Sequence, residues 1–409
     1  MIRHLSLSIS AVSLAILLVA GCASPSGTNM TGSAGTMGSC GSAGTGNTGG
    51  TSPPPPPGLG SGGPFSFPQS KKSGSCTITT VSNAAAATNG AYNSWKSTFV
   101  TSSVAGSFLR VQSPQFSNGT VSEGIGYGMI AAVYMSDRPT FDGLWGYAKS
   151  HFNSDNLMSW QINSSGSVTG MNSATDADED MAWALLMASD QWSSTAYLDD
   201  GRAVIDAIYG TEIAGDGMIK PDKYGGANNG TTYDPDYFAP AYYRVFARAT
   251  DNPVWSGMII DRNYTLLAQL SGPHGLVPNS TDTGTFSTSG NYGYNSCRMP
   301  WRIAMDYCFN GEARAKTYLD LAGPFFSGVG AANIGDGYTN SGSQTSANHN
   351  MAFIGPAGVS GMAGYQTLLD GAFNYGAANM TSDNVYFPSS LRAVTMLMMS
   401  GNFLDYSHQ

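Results

Sequence analysis

The stretch Ala174-Thr175-Asp176-Ala177-Asp178-Glu179-Asp180-Met181-Ala182-Trp183-Ala184-Leu185-Leu186 sets four acidic residues directly ahead of an apolar helical pattern. Over residues 179–192, Met181, Ala182, Leu185, Leu186, Ala188 and Trp192 recur at the spacing of one broad helix face. Acids in a first turn satisfy free N–H groups. Four are more than capping needs, so one of them is expected to face a cleft. Similar apolar periodicity predicts helices over 239–249, 300–308, 313–322 and 391–399. Strand patterns are short and few. Long Gly/Asn/Ser/Tyr-rich loops lie between the helices, such as 213–236 and 272–297. Loops of that length within one domain are usually functional. The chain therefore reads as one mostly helical domain whose loops build a binding face.

A second motif precedes the first by about fifty residues. Ser122-Glu123-Gly124-Ile125-Gly126-Tyr127-Gly128-Met129 places one carboxylate among three glycines and a tyrosine. Glycines allow a ligand or a second chain segment to approach the backbone closely. A carboxyl group in such a setting is desolvated, which raises its pKa and keeps a proton ready for donation.

Together these motifs resemble those of glycoside hydrolase family 8. The likeness continues through Leu157-Met158-Ser159-Trp160, Tyr237-Phe238-Ala239-Pro240-Ala241-Tyr242-Tyr243, Arg298-Met299-Pro300-Trp301-Arg302, Ser390-Leu391-Arg392 and Ser400-Gly401-Asn402-Phe403. It implies an all-α chain folded as an (α/α)6 barrel with long active-site loops, and an endo-acting hydrolase of β-1,4-linked glycans that inverts the anomeric centre. By resemblance Glu123 is the proton donor, and Asp176 binds and distorts the sugar at the cleavage subsite. Trp160 stacks on a sugar face, Tyr237 holds the base or the water, and Arg298 orients the base or a hydroxyl. Tyr127 and Asp178, from the same motifs, are further expected sugar contacts. A β-1,4-glucan is the favoured substrate, with xylan next and chitosan possible. No metal and no cofactor are implied.

One position departs from the pattern. Many members of the family carry the base aspartate three residues before the arginine, where this chain has Asn295. An amide cannot accept the water's proton at neutral pH. A second branch of the family also has Asn there and takes a glutamate from the preceding loop, but no glutamate lies between Glu212 and Glu312. Asp282 is the loop's acid and a candidate replacement. Asp234 or Asp236, beside Tyr237, and a water relayed from Asn295 to Asp176 are the alternatives. A decayed hydrolase that only binds glycans at the cell surface is the competing reading. A polysaccharide lyase is a weaker one, because no Lys/Arg cluster is available to meet a uronate.

The N-terminus reads as an export signal over residues 1–21. Arg3 and His4 precede an apolar run too short to span a bilayer, which closes with Leu18-Val19-Ala20-Gly21-Cys22. Small residues before a cysteine resemble a lipoprotein cleavage site, with Cys22 carrying the lipid. Residues 22–75 are Gly-, Ser- and Pro-rich, with prolines from Pro53 to Pro57, and read as a disordered spacer. The catalytic domain is expected over 76–409. The expected protein is exported, meets a membrane only through its lipid, and is a monomer.

Only 11% of the residues are charged and the net charge is −9, without a basic run, so nucleic acid is excluded as a partner. Cys22, Cys40, Cys76, Cys297 and Cys308 show no zinc-ligand spacing. A Cys297–Cys308 bond is not expected across one helical segment, and a Cys40–Cys76 bond stays open.

Overall fold

Two kinds of helix build the chain, and their burial tells them apart. In the computed structural model, which describes residues 65–226, 230–380 and 384–408, twelve α-helices alternate between the two kinds. They are α1 (Ala84–Phe99), α2 (Ser122–Tyr134), α3 (Arg138–Ser150), α4 (Thr175–Gln191), α5 (Thr195–Thr211), α6 (Pro240–Thr250), α7 (Ile260–Leu270), α8 (Met299–Asn310), α9 (Ala313–Val329), α10 (Met351–Ser360), α11 (Gln366–Ala378) and α12 (Tyr386–Met399).

Every residue of α4 and α10 is buried, and so is every residue of α2 except Glu123. Helices that are enclosed on all sides belong inside a layer of others. The odd-numbered helices bury only a stripe, as α5 does with Tyr197, Gly201, Val204, Ile205 and Ile208. Packing partners complete the picture. Helix α2 packs on α4, α4 on α6, α6 on α8, α8 on α10, α10 on α12, and α12 returns to α2. The even helices thus close a ring, and the odd ones lie against its outside. This is the (α/α)6 barrel that the sequence motifs implied. Gly126 lets the ring close tightly, since a Cβ there would lie 2.9 Å from the Cβ of Asp180.

The periodicity of residues 179–192, 239–249 and 300–308 reappears as α4, α6 and α8. Helix α12 begins at Tyr386, earlier than the pattern over 391–399 suggested, because Pro388, Ser389 and Ser390 near its start interrupt the apolar pattern although they are buried. Aromatic rings fill the lumen: Trp183 stacks on Tyr242 at 4.5 Å, and Trp301 meets Phe403 edge-on.

Four small antiparallel sheets decorate the end where the even helices begin. One matters for the site. β3 (Thr120–Val121), β4 (Gln161–Ile162) and β5 (Val168–Gly170) form a three-stranded splint, which follows the hairpin of β1 (Val100–Thr101) and β2 (Arg110–Val111). The others are the pair β6 (Thr232–Tyr233) with β7 (Thr281–Asp282) and the pair β8 (Gly337–Tyr338) with β9 (Gln344–Ser346).

The expected signal 1–21, Cys22, Cys40 and most of the expected spacer lie outside the described residues. The folded part begins earlier than residue 76, however. Phe65 stacks on Tyr406 at 4.2 Å, its N–H donates to Gln191, and Lys71 N–H donates to the Gly401 carbonyl. Phe65 and Phe67, with backbone hydrogen bonds to Gln191, Asn402 and Gly401, fasten residues 65–75 as a strap, although their composition is that of a spacer.

The strap runs over the ends of α2, α4 and α12 and is covalently fixed by a Cys76–Cys308 disulfide to the last turn of α8. Cys297 is buried and free. The crosslink spans 232 residues, for which the chain-entropy relation gives about 5 kcal/mol of stabilisation. A Cys76→Ser/Cys308→Ser variant is therefore expected to melt on the order of 10 °C below the oxidised protein. Calorimetry with and without reductant checks this, and an unchanged melting temperature would contradict the role given to the bond.

Candidate active site

Each inner helix starts at the same end of the barrel, and the chemistry-bearing side chains sit at or just before those starts. β3 runs directly into α2, so Glu123 falls in its first turn. Asp176 occupies the first turn of α4. The 3-10 turn Pro235–Tyr237 leads into α6 and carries Asp236. The turn Ser296–Arg298 leads into α8, with Asn295 ahead of it. Asn350 caps α10 through its side chain, and Tyr386 opens α12.

Arg298 joins these elements across the lumen. Its Nη1 donates to Glu123 Oε2 at 2.8 Å and to Asp176 Oδ2 at 2.5 Å, while Nη2 meets Asp236 Oδ2 at 2.5 Å. The Tyr127 hydroxyl lies 3.3 Å from Nη1, and the guanidinium sits over the Tyr237 ring at 5.5 Å. Only 3% of the Arg298 side chain is accessible. One turn deeper, Arg302 pairs with Asp180 through both Nη atoms, and Tyr242 donates its hydroxyl to the same carboxylate. The i, i+4 spacing of Arg298 and Arg302 on one helix matches that of Asp176 and Asp180 on the other, so the two ion pairs lie one above the other.

One guanidinium cannot neutralise three carboxylates. Burial is the main force on Glu123 and pushes its carboxyl up to about 8. Arg298 opposes that shift, and Asp176, Asp180 and Asp236 reinforce it. Glu123 nevertheless keeps 22% of its side chain accessible. It is thus a carboxylic acid that retains its proton at neutral pH and still faces the cleft. Burial also raises Asp236, which has no accessible surface. Asp234, half-buried, is raised to about 8 by burial and then by the charge of Asp236.

The cleft encloses about 470 Å3 beside Glu123. Phe116, Tyr294 and Phe387 provide apolar walls, and Asn295 and Asn350 provide polar ones. Tyr294 is held in place by its hydroxyl, which donates to Asp336 at 2.6 Å and accepts from Asn350 at 3.1 Å. Trp160 belongs to the splint: its N–H donates to Asn172, and its carbonyl accepts from Ser122, the residue before Glu123. The indole lies against Gly170, where a Cβ would come within 2.2 Å of its Nε1. The sheet therefore fixes Trp160 relative to both Glu123 and the entry to α4.

Of the residues expected from sequence, the structure brings Glu123, Asp176, Arg298, Tyr127 and Tyr237 into one cluster. Asn295 stands in the cleft, and its carbonyl accepts from Arg298 Nε. Two expectations are corrected. Asp178 has no accessible surface, because its position in the first turn of α4 faces inward, so it makes no sugar contact. Asp282 is exposed on the β6–β7 pair, where its Oδ1 accepts from Gly284 N–H within a tight turn. Arg298 holds Asp236 instead, one of the alternatives. Tyr294, Phe116 and Asn350 escaped sequence reading. Of these, Tyr294 carried a signal, since it adjoins Asn295 in an otherwise recognisable motif.

Comparison with known proteins agrees with this geometry. The family described as Glycosyl hydrolases family 8 matches residues 65–401. Endoglucanase A of Acetivibrio thermocellus is 38% identical over 330 residues, covering 76% of this chain and 68% of its own. A beta-glucanase of Niallia circulans is 33% identical over 353 residues, covering 77% of this chain and 84% of its own. The apo structure of a beta-1,3-1,4-glucanase from Paenibacillus sp. X4 superposes with a TM-score of 0.76 at 31% identity, covering 82% of this chain and 98% of that one.

Proposed function

The chain belongs to glycoside hydrolase family 8 and is an endo-glycanase, and on that premise we propose that it cleaves β-1,4-bonds of a β-glucan with inversion, with Glu123 as the general acid. The observation that carries this reading is the state of Glu123: protonated by burial, yet open to a cleft with aromatic walls. Glu123 donates its proton to the leaving glycosidic oxygen. Asp176, fixed by Arg298, holds a sugar hydroxyl and offsets positive charge that develops at the anomeric carbon. A water attacks from the opposite face.

Asn295 orients that water without taking its proton. We assign the proton to Asp234, which acts in its ionised form. Burial pushes its carboxyl up to about 8, so kcat/KM should fall on the acid side as Asp234 takes up a proton. Asp236 is closed off by Arg298, whereas Asp234 is half-buried and adjoins the same turn. The names of the relatives favour β-1,4- or mixed-linkage glucan over xylan and chitosan as substrate. A lyase reading lacks support, since the cluster's guanidinium is committed to carboxylates.

A reducing-end assay on a cellulose derivative, mixed-linkage glucan, xylan and chitosan tests the proposal, with product anomers followed by NMR. Release from a β-glucan with inverted configuration is expected. Products of retained configuration, or no release from either glucan, would sink it. In the same assay Asp234→Asn should lose turnover and recover part of it with azide, an external nucleophile that needs no base. Export with lipid attachment at Cys22 is also proposed, from Leu18-Val19-Ala20-Gly21-Cys22 alone. If Cys22→Ala left the protein in the membrane fraction, that part would be wrong.

A further inference from the structure

Three adjoining depressions lie on the outer helices, and none shares a lining residue with the cleft beside Glu123. The first, about 650 Å3, sits between α1 and the β1–β2 hairpin. The second, about 460 Å3, sits between the hairpin tip and α3. The third, about 580 Å3, sits between α3 and α5. Ser102 and Leu109 belong to the first two, and Phe108 and Asp142 to the last two. The depressions therefore form one groove from α1 to α5, with Phe108 near its middle.

Two glycines of α3 seat the hairpin tip. A Cβ at Gly143 would lie 2.7 Å from Leu109 Cγ, and a Cβ at Gly146 would collide with the edge of the Phe108 ring. Leu109 N–H donates to the Gly143 carbonyl at 3.1 Å. Phe108 is thus fixed along one ring edge while 36% of the residue stays exposed. Trp145 and Tyr197 continue the aromatic lining towards α5.

The charges along the groove are already matched. Lys149 Nζ meets Asp200 Oδ2 at 3.0 Å, and the Trp145 N–H donates to the same oxygen at 2.7 Å. Arg138 pairs with Asp142, which also accepts from the Tyr197 hydroxyl, and Lys96 pairs with Asp137. An ionic ligand would have to break these pairs. A neutral polyhydroxylated chain would not, because a paired carboxylate still has lone pairs to accept hydroxyl protons. Asp142 keeps 51% of its side chain accessible for that purpose.

The hairpin also joins the groove to the cleft. β2 follows Phe108 and Leu109 directly, and the turn after it carries Phe116 into the cleft wall. Arg110 Nη1 braces that turn, donating to the Asn118 carbonyl at 2.9 Å and to Thr120 Oγ1 at 3.2 Å.

Resting on the glucan reading above, we propose that this groove is a second glycan-binding site, which holds a neutral β-glucan chain outside the cleft and packs one sugar against Phe108. The ring meets the apolar face of the sugar, and the flanking carboxylates and hydroxyls meet its hydroxyl groups. The site performs no chemistry. Its effect is to keep polymer near the cleft, as a second binding module raises the effective concentration for the first.

Affinity electrophoresis through gels containing polymeric mixed-linkage glucan tests this, in a Glu123→Gln background so that no glucan is cut. Phe108→Ala is expected to raise the apparent Kd for the polymer about fivefold, the worth of one aromatic contact. Ser102→Arg should do the same from an exposed position, without removing a packed side chain. With Glu123 present, neither substitution should change kcat/KM on a short glucan oligosaccharide by more than twofold. Unchanged retardation in either variant, or an equal loss of kcat/KM on the oligosaccharide, overturns the proposal. The two readings fail separately: retardation that depends on Phe108 in a protein that cuts no glucan sinks the hydrolase reading and leaves the groove, whereas cleavage with retardation indifferent to Phe108 sinks the groove alone.

Discussion

Glu123→Gln is expected to lower glycan turnover by about a thousandfold while leaving glycan affinity within a few-fold. The amide keeps the shape of the side chain and still contacts Arg298, but it has no proton to give. A sugar alkoxide is a poor leaving group, so the loss should be largest on unactivated polysaccharide. It should shrink on an aryl glycoside whose leaving group departs without help.

The pH profile follows from the same group. Burial holds Glu123 protonated up to about 8, so kcat/KM should fall on the alkaline side as that proton is lost. The variant should lack that limb. Reducing-end rates against pH, with affinity from calorimetry, check both points. Turnover within tenfold of wild type would remove Glu123 from the role of acid.

Arg298→Met is expected to be worse than inactive. Removing one partner of a buried ion pair costs about 3–5 kcal/mol, and this guanidinium serves Glu123, Asp176 and Asp236 together. The folded protein should be scarce, and what is recovered should melt well below wild type. Arg298→Lys is the informative companion. An ammonium is a point charge and cannot span three carboxylates as a planar fork does. It should fold better than the methionine variant yet remain at least a hundredfold below wild type in kcat/KM, an order-of-magnitude expectation for a misplaced catalytic group. Thermal denaturation with steady-state kinetics tests the pair of variants. Near-normal activity in the lysine variant would show that simple charge, not the fork, organises the site.

How much of this was legible beforehand depended on what each residue touches. Glu123, Asp176 and Arg298 were readable because they lie in short motifs whose neighbours are dictated by tight packing, as with Gly126 against Asp180. Helix α4 could be found from its period, but that it belongs to an inner ring could not, since Glu179, Asp180 and Gln191 are buried while in sequence they read as a solvent-facing side. Asp178 was misread for a related reason: four acids in succession look alike in sequence, and only the helix turn decides which of them meets the cleft. The Cys76–Cys308 bond joins residues that meet only once the strap crosses the barrel, so no spacing rule could find it. Phe65 and Phe67 were hidden in the average composition of their surroundings. Tyr294 and Phe116 come from loops, where no periodicity marks an inward residue.

The common direction of the six inner helices has an electrical meaning. Each helix start carries roughly half a positive charge from its aligned peptide dipoles, and six of them converge on one cleft. Their sum, about three positive charges, is met in part by Asp176 and Asp236 at the same helix starts, Glu123 being protonated. The acids at the helix starts are thus a counterweight to the scaffold's own field. A cleft ringed by bare helix starts would repel the cationic character that grows on the sugar during bond cleavage. Exchanging any of these acids for an amide should therefore tilt the potential of the whole cleft, not merely delete one contact.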